Sequence, residues 1–160
     1  MQLYILRHGI AEDERPGSRD SDRALTAEGK KKLREVLRVA HRADVSPKLI
    51  ISSPYVRAVE TAEIAIDVLG YKGPLLQTKV LIPSSDPKPV WEEIRVHSDV
   101  PELMLVGHEP LLSTLGAYLL GAPSLYIDMK KGAIIRIDIS SFGMEPHGIL
   151  KWLLVPKLAV

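Results

Sequence analysis

The sequence of 160 residues contains no cysteine and no asparagine. Without cysteine there can be no disulfide bond, no thiolate metal site and no cysteine nucleophile. Glutamine is also rare, with Gln2 and Gln77 as its only occurrences. Depletion of such thermolabile residues is a trend among thermophile proteins. For a single sequence this depletion is only a compositional hint, and no other prediction depends on it.

Long apolar runs and an excess of one charge are missing as well. Runs such as 103–106 are far shorter than the roughly 20 residues that span a bilayer. The apolar segment near the N-terminus runs straight into Arg7, which is unlike a signal peptide. The formal net charge of +1 does not indicate a nucleic-acid or membrane surface. We therefore expect a cytoplasmic globular protein with one domain over residues 1–160.

Short apolar strands alternate with amphipathic helices along the chain. This alternation predicts an α/β fold, a single-domain three-layer α/β/α sandwich with a mostly parallel mixed sheet. The C-terminal part predicts an antiparallel hairpin at the sheet edge, and the strict alternation in 135–139 is typical of a half-exposed edge strand. Strands are predicted at 3–6, 48–52, within 75–82, and at 102–107, 132–139 and 149–155. Helices are predicted at about 27–42, 54–69, 88–97 and 110–121.

Two helix starts and one loop are also predicted. Thr26 is expected to cap the first long helix, and Ser53 is expected to cap the next one with Pro54 at its first position. Residues 10–24 have little apolar content and predict a long surface loop directly after the first strand. That loop is either a rim of a functional site or a solvated connection.

Cations and imidazoles lie where strands end. Arg7 and His8 end the first strand beside a glycine, and His108 follows a later strand beside another glycine. Arg57 lies in the first turn of a predicted helix, where a cation is favourable if it shares an anion with the helix N-terminus. The carboxyl ends of parallel strands line the ligand crevice of an open α/β sheet. These four side chains together predict a site for a dianionic phosphoryl group.

Other chemistries fit the sequence less well. Two histidines could suggest a metal, but no HExxH pattern or clustered acidic spacing supplies a third ligand, and two arginines would repel the cation. We therefore expect no metal. A GxxxxGK[ST] loop is also missing from the sequence, which disfavours nucleotide-driven kinase chemistry.

Several short stretches between residue 1 and about residue 115 follow one another in a defined order. They are Arg7-His8-Gly9, Arg23-Ala24-Leu25-Thr26 with Gly29, Ser52-Ser53-Pro54 through Arg57-Ala58 to Glu60-Thr61, and Val106-Gly107-His108-Glu109-Pro110. This series resembles the histidine phosphatase (phosphoglycerate mutase-like) superfamily. Ala11, the stretch Asp22 to Thr26 and the short length are similar to the SixA-type phosphohistidine phosphatase branch.

The resemblance implies a two-step mechanism without a cofactor. His8, neutral, is the nucleophile that becomes phosphohistidine, and water then hydrolyses it. Arg7, Arg57 and His108, the last as an imidazolium, hold the equatorial phosphoryl oxygens. A backbone acceptor or a loop group must hold the tautomer of His8. Arg23 either contacts phosphate or substrate, or caps its loop through a nearby aspartate.

One departure from the family bears on the substrate. The mutase and acid-phosphatase branches carry a carboxylic acid near the third strand end, whereas here only Asp86 stands nearby as a candidate general acid. Glu12, Asp13 and Glu109 are further carboxylates that could reach in from loops. An alkoxide leaves poorly without an acid, so the departure favours phosphohistidine over an ester.

Three functions follow in order of preference. The first is a metal-independent phosphatase acting on phosphohistidine of a phosphorelay or phosphotransfer protein. The second is a phosphatase of small phosphorylated metabolites, either esters or anhydrides. The third is a non-catalytic phosphoryl-binding regulatory module, which would have no need for a nucleophile. None of the three calls for a nucleic-acid or membrane partner.

Overall fold

The computed structural model describes residues 1–159, and a six-stranded sheet forms its centre. The strands are β1 Gln2–Arg7, β2 Leu49–Ser52, β3 Leu75–Gln77, β4 Glu102–Gly107, β5 Ile134–Asp138 and β6 Ile149–Leu154. The helices are α1 Ala27–Arg42, α2 Val56–Leu69, α3 Pro87–Val96 and α4 Leu111–Leu119.

The strand order is β3-β2-β4-β1-β5-β6. The pairs β2–β3, β2–β4 and β1–β4 are parallel, while β5 runs antiparallel to both β1 and β6. The predicted α/β class, with a mostly parallel sheet and an antiparallel C-terminal hairpin at its edge, is confirmed. The carboxyl ends of β1, β2 and β4 therefore lie side by side, and the polar residues that follow these strands meet there.

Helices cover both faces of the sheet, as predicted. Successive residues of a strand point to opposite faces, so β1 supplies Leu3 and Ile5 to one core and Tyr4 and Leu6 to the other. The helices α3 and α4 pack over the first face, and α1 and α2 pack over the second. All four side chains are 0% exposed, and burial of each contributes roughly 1.5–3 kcal/mol. Both cores thus hold β1 rigidly, and the residues at its end with it.

The first long helix forms as the sequence predicts. Thr26 is its N-cap, and the Thr26 hydroxyl accepts a hydrogen bond from the Gly29 amide at 2.9 Å. The predicted apolar face is buried, with Leu33 and Leu37 both at 0% exposure. The N-cap and the apolar stripe indicate the same helix, which explains why the bounds of α1 match the predicted ones closely.

The next helix starts later than predicted. Ser53 and Pro54 are not its cap and first residue, because α2 begins at Val56 with Tyr55 as N-cap. The Ser53 hydroxyl accepts a hydrogen bond from the Tyr55 amide at 3.2 Å and lies 2.7 Å from a ring nitrogen of His108. The prediction of a serine cap was wrong because the Ser53 hydroxyl closes a turn with the Tyr55 amide ahead of the helix, where it also contacts His108.

The hairpin also differs from one prediction. The segment 135–139 was predicted as an edge strand, yet β5 lies inside the sheet between β1 and β6, and β6 forms the edge. Arg136 and Asp138 pair with each other on β5 through hydrogen bonds of 2.8 and 3.0 Å. Both side chains stay partly exposed on one face of the sheet, so the alternation reflects a half-exposed face of an inner strand and misidentified the edge.

The predicted surface loop 10–24 contains a short 3₁₀ turn, Asp20–Asp22, and a bridge between Ala11 and Leu25 fastens its ends. The turn contacts α2, which brings the loop beside the carboxyl ends of the strands. None of the helices within residues 1–159 is both long and apolar enough to cross a membrane.

Candidate active site

His8 follows β1 in a turn whose backbone is hydrogen-bonded on both sides. Its amide donates to the Gly107 carbonyl at 3.0 Å, and its carbonyl accepts from the Gly132 amide at 2.9 Å. The ring nitrogen Nδ1 lies 2.7 Å from the Gly9 carbonyl oxygen. A carbonyl can only accept, so Nδ1 carries the proton and the lone pair is left on Nε2. The backbone acceptor that the sequence could not name is therefore Gly9.

Arg57 projects from the first turn of α2 toward that lone pair. Its Nε donates to Nε2 of His8 at 3.3 Å, and the residue is only 4% exposed. Its Nη1 and Nη2 donate to the backbone oxygen and to the carboxylate of Asp20, at 2.8 and 3.1 Å. A guanidinium held in this way is a rigid fork of donors beside an imidazole.

His108 follows β4 and lies across from His8. The two ring centroids are 5.1 Å apart, and His108 is 1% exposed. Its Nε2 is 2.7 Å from the Ser53 hydroxyl, while its Nδ1 is buried and has no hydrogen-bond partner within residues 1–159. Buried polar atoms are usually satisfied, so an orphaned one next to a cluster of cations marks a place for a ligand atom.

Arg7 ends β1 directly before His8. Its Nη1 donates to the Met129 carbonyl at 2.6 Å, and its Nε is buried without a hydrogen-bond partner in the described part of the chain. Burial lowers the pKa of Arg7, whereas Glu109 and Asp128 raise it. Arg7 therefore offers a fixed donor, and its Nε is the second buried polar atom without a partner that residues 1–159 place at this end of the sheet.

Burial controls the charge of both imidazoles. It lowers the pKa of His8 to about 3, and the positive charges of Arg57 and Arg7 act in the same direction. It also lowers the pKa of His108 to about 3, with further lowering from His8 and Arg57. Both pKa values favour neutral rings at pH 7. The imidazolium expected for His108 in the mechanism stays a prediction.

Arg23 and Asp86, the two more distant candidates, lie in different surroundings. The Arg23 guanidinium donates to the Asp20 carboxylate at 2.9 Å and to the Glu12 carbonyl at 2.7 Å, so it caps its loop and adjoins Arg57 through Asp20. Asp86 is the exposed N-cap residue of α3, and within residues 1–159 its side chain forms no hydrogen bond with the site. Its role as a general acid stays a prediction.

Asp20 is a site residue that the sequence did not identify as one. Its carboxylate bridges Arg23 and Arg57, and hydrogen bonding from Arg23, followed by the contribution of Arg57, lowers its pKa. The spacing of Asp20 three residues before Arg23 suggested only a loop cap. The contact with Arg57 joins residues 37 positions apart, and no local pattern could have revealed it.

Ser53 and Thr61 were likewise missed as supporting residues. The Thr61 hydroxyl donates to the Arg57 carbonyl at 2.7 Å and accepts from the Gly9 amide at 3.2 Å. It thereby connects the turn of α2 that carries Arg57 to the turn that carries His8. Both residues lay inside stretches that matched the family pattern, but that pattern did not say what they contact.

Comparison with known proteins identifies the family of the chain. A family model described as the histidine phosphatase superfamily (branch 1) matches residues 3–81. An uncharacterised protein of Picosynechococcus sp. is 31% identical over 149 residues, which cover 92% of this chain and 90% of that relative. The chain belongs to the histidine phosphatase superfamily.

Two solved structures have the same fold. The protein histidine phosphatase SixA complexed with tungstate is 26% identical, covers 98% of each chain and superposes with a TM-score of 0.87. The α-ribazole phosphatase from Shigella flexneri is 19% identical with a TM-score of 0.75, and the match covers 98% of this chain and 97% of that one. The recognition of a SixA-like, phosphoglycerate mutase-like fold is confirmed.

Proposed function

We propose that this protein is a metal-independent phosphatase that removes the phosphoryl group from phosphohistidine on another protein. The observation that carries the proposal is the state of His8, a neutral imidazole whose Nδ1 proton is bound by Gly9 and whose Nε2 lone pair faces Arg57. A nucleophile must present an unprotonated atom to phosphorus, and Nε2 is that atom. The likeness to SixA supports the same class of substrate.

The first step transfers the phosphoryl group to the enzyme. Nε2 of His8 attacks phosphorus in line, an N–P bond forms, and the bond from phosphorus to the substrate imidazole breaks. The His8 ring becomes positively charged, and the hydrogen bond from its Nδ1 to the Gly9 carbonyl strengthens as that charge develops. The substrate imidazole departs as a neutral ring when its other nitrogen already carries a proton.

Three donors can hold the phosphoryl oxygens during this transfer. They are the guanidiniums of Arg57 and Arg7 and the Nδ1–H of His108. The Ser53 hydroxyl accepts from the Tyr55 amide and can donate to Nε2 of His108. That arrangement leaves the proton of a neutral His108 on Nδ1, so the ring donates without being an imidazolium. Removing one such donor costs on the order of 10²-fold in rate, as for an oxyanion-hole donor.

The acid–base properties of the site favour an N–P substrate over an ester. Asp20 is a carboxylate in direct contact with Arg57, and its lowered pKa keeps it ionised at neutral pH. It is therefore a poor general acid. The other candidate, Asp86, is exposed and forms no hydrogen bond with the site within residues 1–159, so a phosphate ester, whose alkoxide leaves poorly without a proton from an acid, is the less favoured substrate. An imidazole leaving group does not need that proton. The second step, attack of water on the phosphorylated His8, releases inorganic phosphate and restores the neutral ring.

The test uses two substrates and one trapped intermediate. The protein is incubated with a phosphohistidine-bearing protein and, in parallel, with p-nitrophenyl phosphate. The reaction is then quenched, and the enzyme is assayed for a covalently bound phosphoryl label. We expect faster turnover of phosphohistidine and an acid-labile, alkali-stable label that disappears in His8→Ala. His147→Ala is the matched control, because His147 is an exposed histidine in the loop before β6.

The other outcomes would indicate a different function or a different nucleophile. Turnover of the ester far faster than of phosphohistidine would favour a phosphatase of small phosphorylated metabolites. No label and no turnover would leave the non-catalytic phosphoryl-binding module. Activity retained in His8→Ala would show that the nucleophile is another residue.

A further inference from the structure

A groove of about 780 Å³ opens beside Arg7, and lysines form much of its wall. We call it the lysine groove, and its lysines are Lys32, Lys130, Lys131 and Lys157. They come from α1, from the segment before β5 and from the C-terminal 3₁₀ turn, so the fold gathers them from three distant parts of the chain. The formal net charge of the whole chain is only +1, which makes this concentration of cations a local feature.

Part of this charge is uncompensated. Lys32 pairs with Glu28 at 2.9 Å and Lys130 with Asp128 at 3.0 Å. Lys131 and Lys157 form no ion pair with any residue in the range 1–159. The groove therefore presents free ammonium groups to an incoming anion, close to the proposed phosphoryl-binding site.

The groove is joined rigidly to the nucleophile. Arg7 lines the groove and donates to the Met129 carbonyl at 2.6 Å, directly before the two adjacent lysines. The Gly132 amide, directly after them, donates to the His8 carbonyl at 2.9 Å. The segment that carries Lys130 and Lys131 is thus fastened at one end to Arg7 and at the other to His8. A molecule seated in the groove would lie at a set position relative to the reacting phosphoryl group.

The groove also has an apolar part, which helps to define its occupant. Ile10, Val155 and Pro156 line it between the cations. A surface with apolar patches between lysines complements the methylene stems and carboxylates of glutamate and aspartate side chains. The volume exceeds what a single phosphate needs and accommodates several side chains.

We propose that the lysine groove binds acidic side chains that flank the phosphohistidine on the substrate protein. The proposal rests on the proposed function, because it assumes a protein substrate at His8. Its consequence is specificity: among proteins that carry phosphohistidine, those with acidic residues beside it are preferred. Surface charge pairs act mainly on association, so the preference should weaken as salt is added.

The test compares two synthetic phosphohistidine peptides that differ only in flanking residues, glutamate in one and glutamine in the other. We expect the wild-type protein to favour the acidic peptide by about tenfold in kcat/KM. The double variant Lys131→Gln/Lys157→Gln should bring that ratio close to one. The matched control, Lys48→Gln/Lys72→Gln, removes two exposed lysines at the opposite, amino-terminal end of β2 and should keep the ratio.

A second measurement separates this proposal from the proposed function. The unphosphorylated acidic and neutral peptides are used as inhibitors of p-nitrophenyl phosphate turnover, which does not require phosphohistidine to be the substrate. Stronger inhibition by the acidic peptide, lost in the Lys131→Gln/Lys157→Gln variant, supports the groove even if neither phosphohistidine peptide is hydrolysed. Equal inhibition by both peptides, or an unchanged preference in that variant, would overturn it.

Discussion

Arg57 contacts both the proposed nucleophile and a carboxylate. Its Nε faces Nε2 of His8, and its two terminal nitrogens are bound by Asp20. A phosphoryl dianion that approaches His8 meets this carboxylate beside the guanidinium that should hold it. Since like charges repel, Asp20 must move aside or weaken the binding of the dianion.

Asp20→Asn should therefore tighten binding of inorganic phosphate, the product. Asparagine keeps the size and the hydrogen-bonding oxygen but removes the negative charge. We expect the inhibition constant of phosphate to fall roughly threefold to tenfold, the range of a single partly exposed charge pair. The measurement is competitive inhibition of p-nitrophenyl phosphate turnover.

Asp22→Asn is the matched control, because Asp22 lies in the same 3₁₀ turn and is exposed. It should leave the inhibition constant nearly unchanged. Weaker phosphate binding in Asp20→Asn would contradict the argument and would show instead that Asp20 orients Arg57 for the ligand.

The start of α1 packs closely against the turn that follows His8. The Ile10 carbonyl accepts from the Thr26 amide at 2.9 Å, which places the start of α1 against this turn. A Cβ added at Gly29 would lie 2.2 Å from the Ile10 oxygen and 2.9 Å from its nitrogen. Glycine is required at this helix position because another backbone passes too close for any side chain.

Gly29→Ala should destabilise the protein although alanine is the better helix former. The helix preference of about 1 kcal/mol for alanine is opposed by overpacking, which typically costs about 1–3 kcal/mol and more where backbone must move. We expect a net loss in the free energy of unfolding, measured by urea denaturation. Turnover should fall as well, because the displaced segment follows His8 directly.

Gly116→Ala in α4 is the matched control for that change. The nearest atom to its added Cβ is the end of the Ile127 side chain at 3.0 Å, which can rotate away. Its stability should change little or rise slightly. Equal losses in the two variants would show that the close backbone contact at Gly29 is not the cause.

The molecule as a whole keeps two histidines neutral in its interior. His8 and His108 are at most 5% exposed, and burial is the largest cause of their low pKa. In the unfolded chain each returns to an ordinary pKa near 6.5. The unfolded state therefore binds more protons than the native state between about pH 3 and pH 6.5.

Stability should consequently rise with pH across this window and level off above it. Each histidine contributes a slope of up to about 1.4 kcal/mol per pH unit, and this stability is lost again as pH falls from 6.5 toward 3. The check is the free energy of unfolding at several pH values for wild type and His8→Gln. The difference between the two curves isolates His8 from the carboxylates.

His147→Gln serves as the control, since this histidine is exposed. Its curve should run parallel to that of wild type. A His8→Gln curve that also runs parallel to wild type would show that the ring of His8 titrates alike in the folded and unfolded chains.

Much of the architecture was predictable because it depends on local patterns. The cap at Thr26 and the apolar stripe of α1 lie within one helix, and the strand runs reveal β1, β2 and β4 by composition alone. Errors arose in details that local patterns do not decide. The Ser53 hydroxyl contacts the Tyr55 amide and His108 instead of capping α2, and β5 lies inside the sheet while its predicted hairpin partner β6 forms the edge.

By itself the sequence determined the α/β fold, the residue types at the strand ends and their order along the chain. These features are enough to predict that Arg7, His8, Arg57 and His108 lie close together. These features follow from side-chain periodicity and from the rule that parallel strands end on one edge. Only the tertiary structure decided which ring nitrogen of His8 is free, that burial keeps both imidazoles neutral, and that Asp20 occupies Arg57. The physical reason is that hydrogen-bond partners and desolvation depend on atoms brought together across the fold.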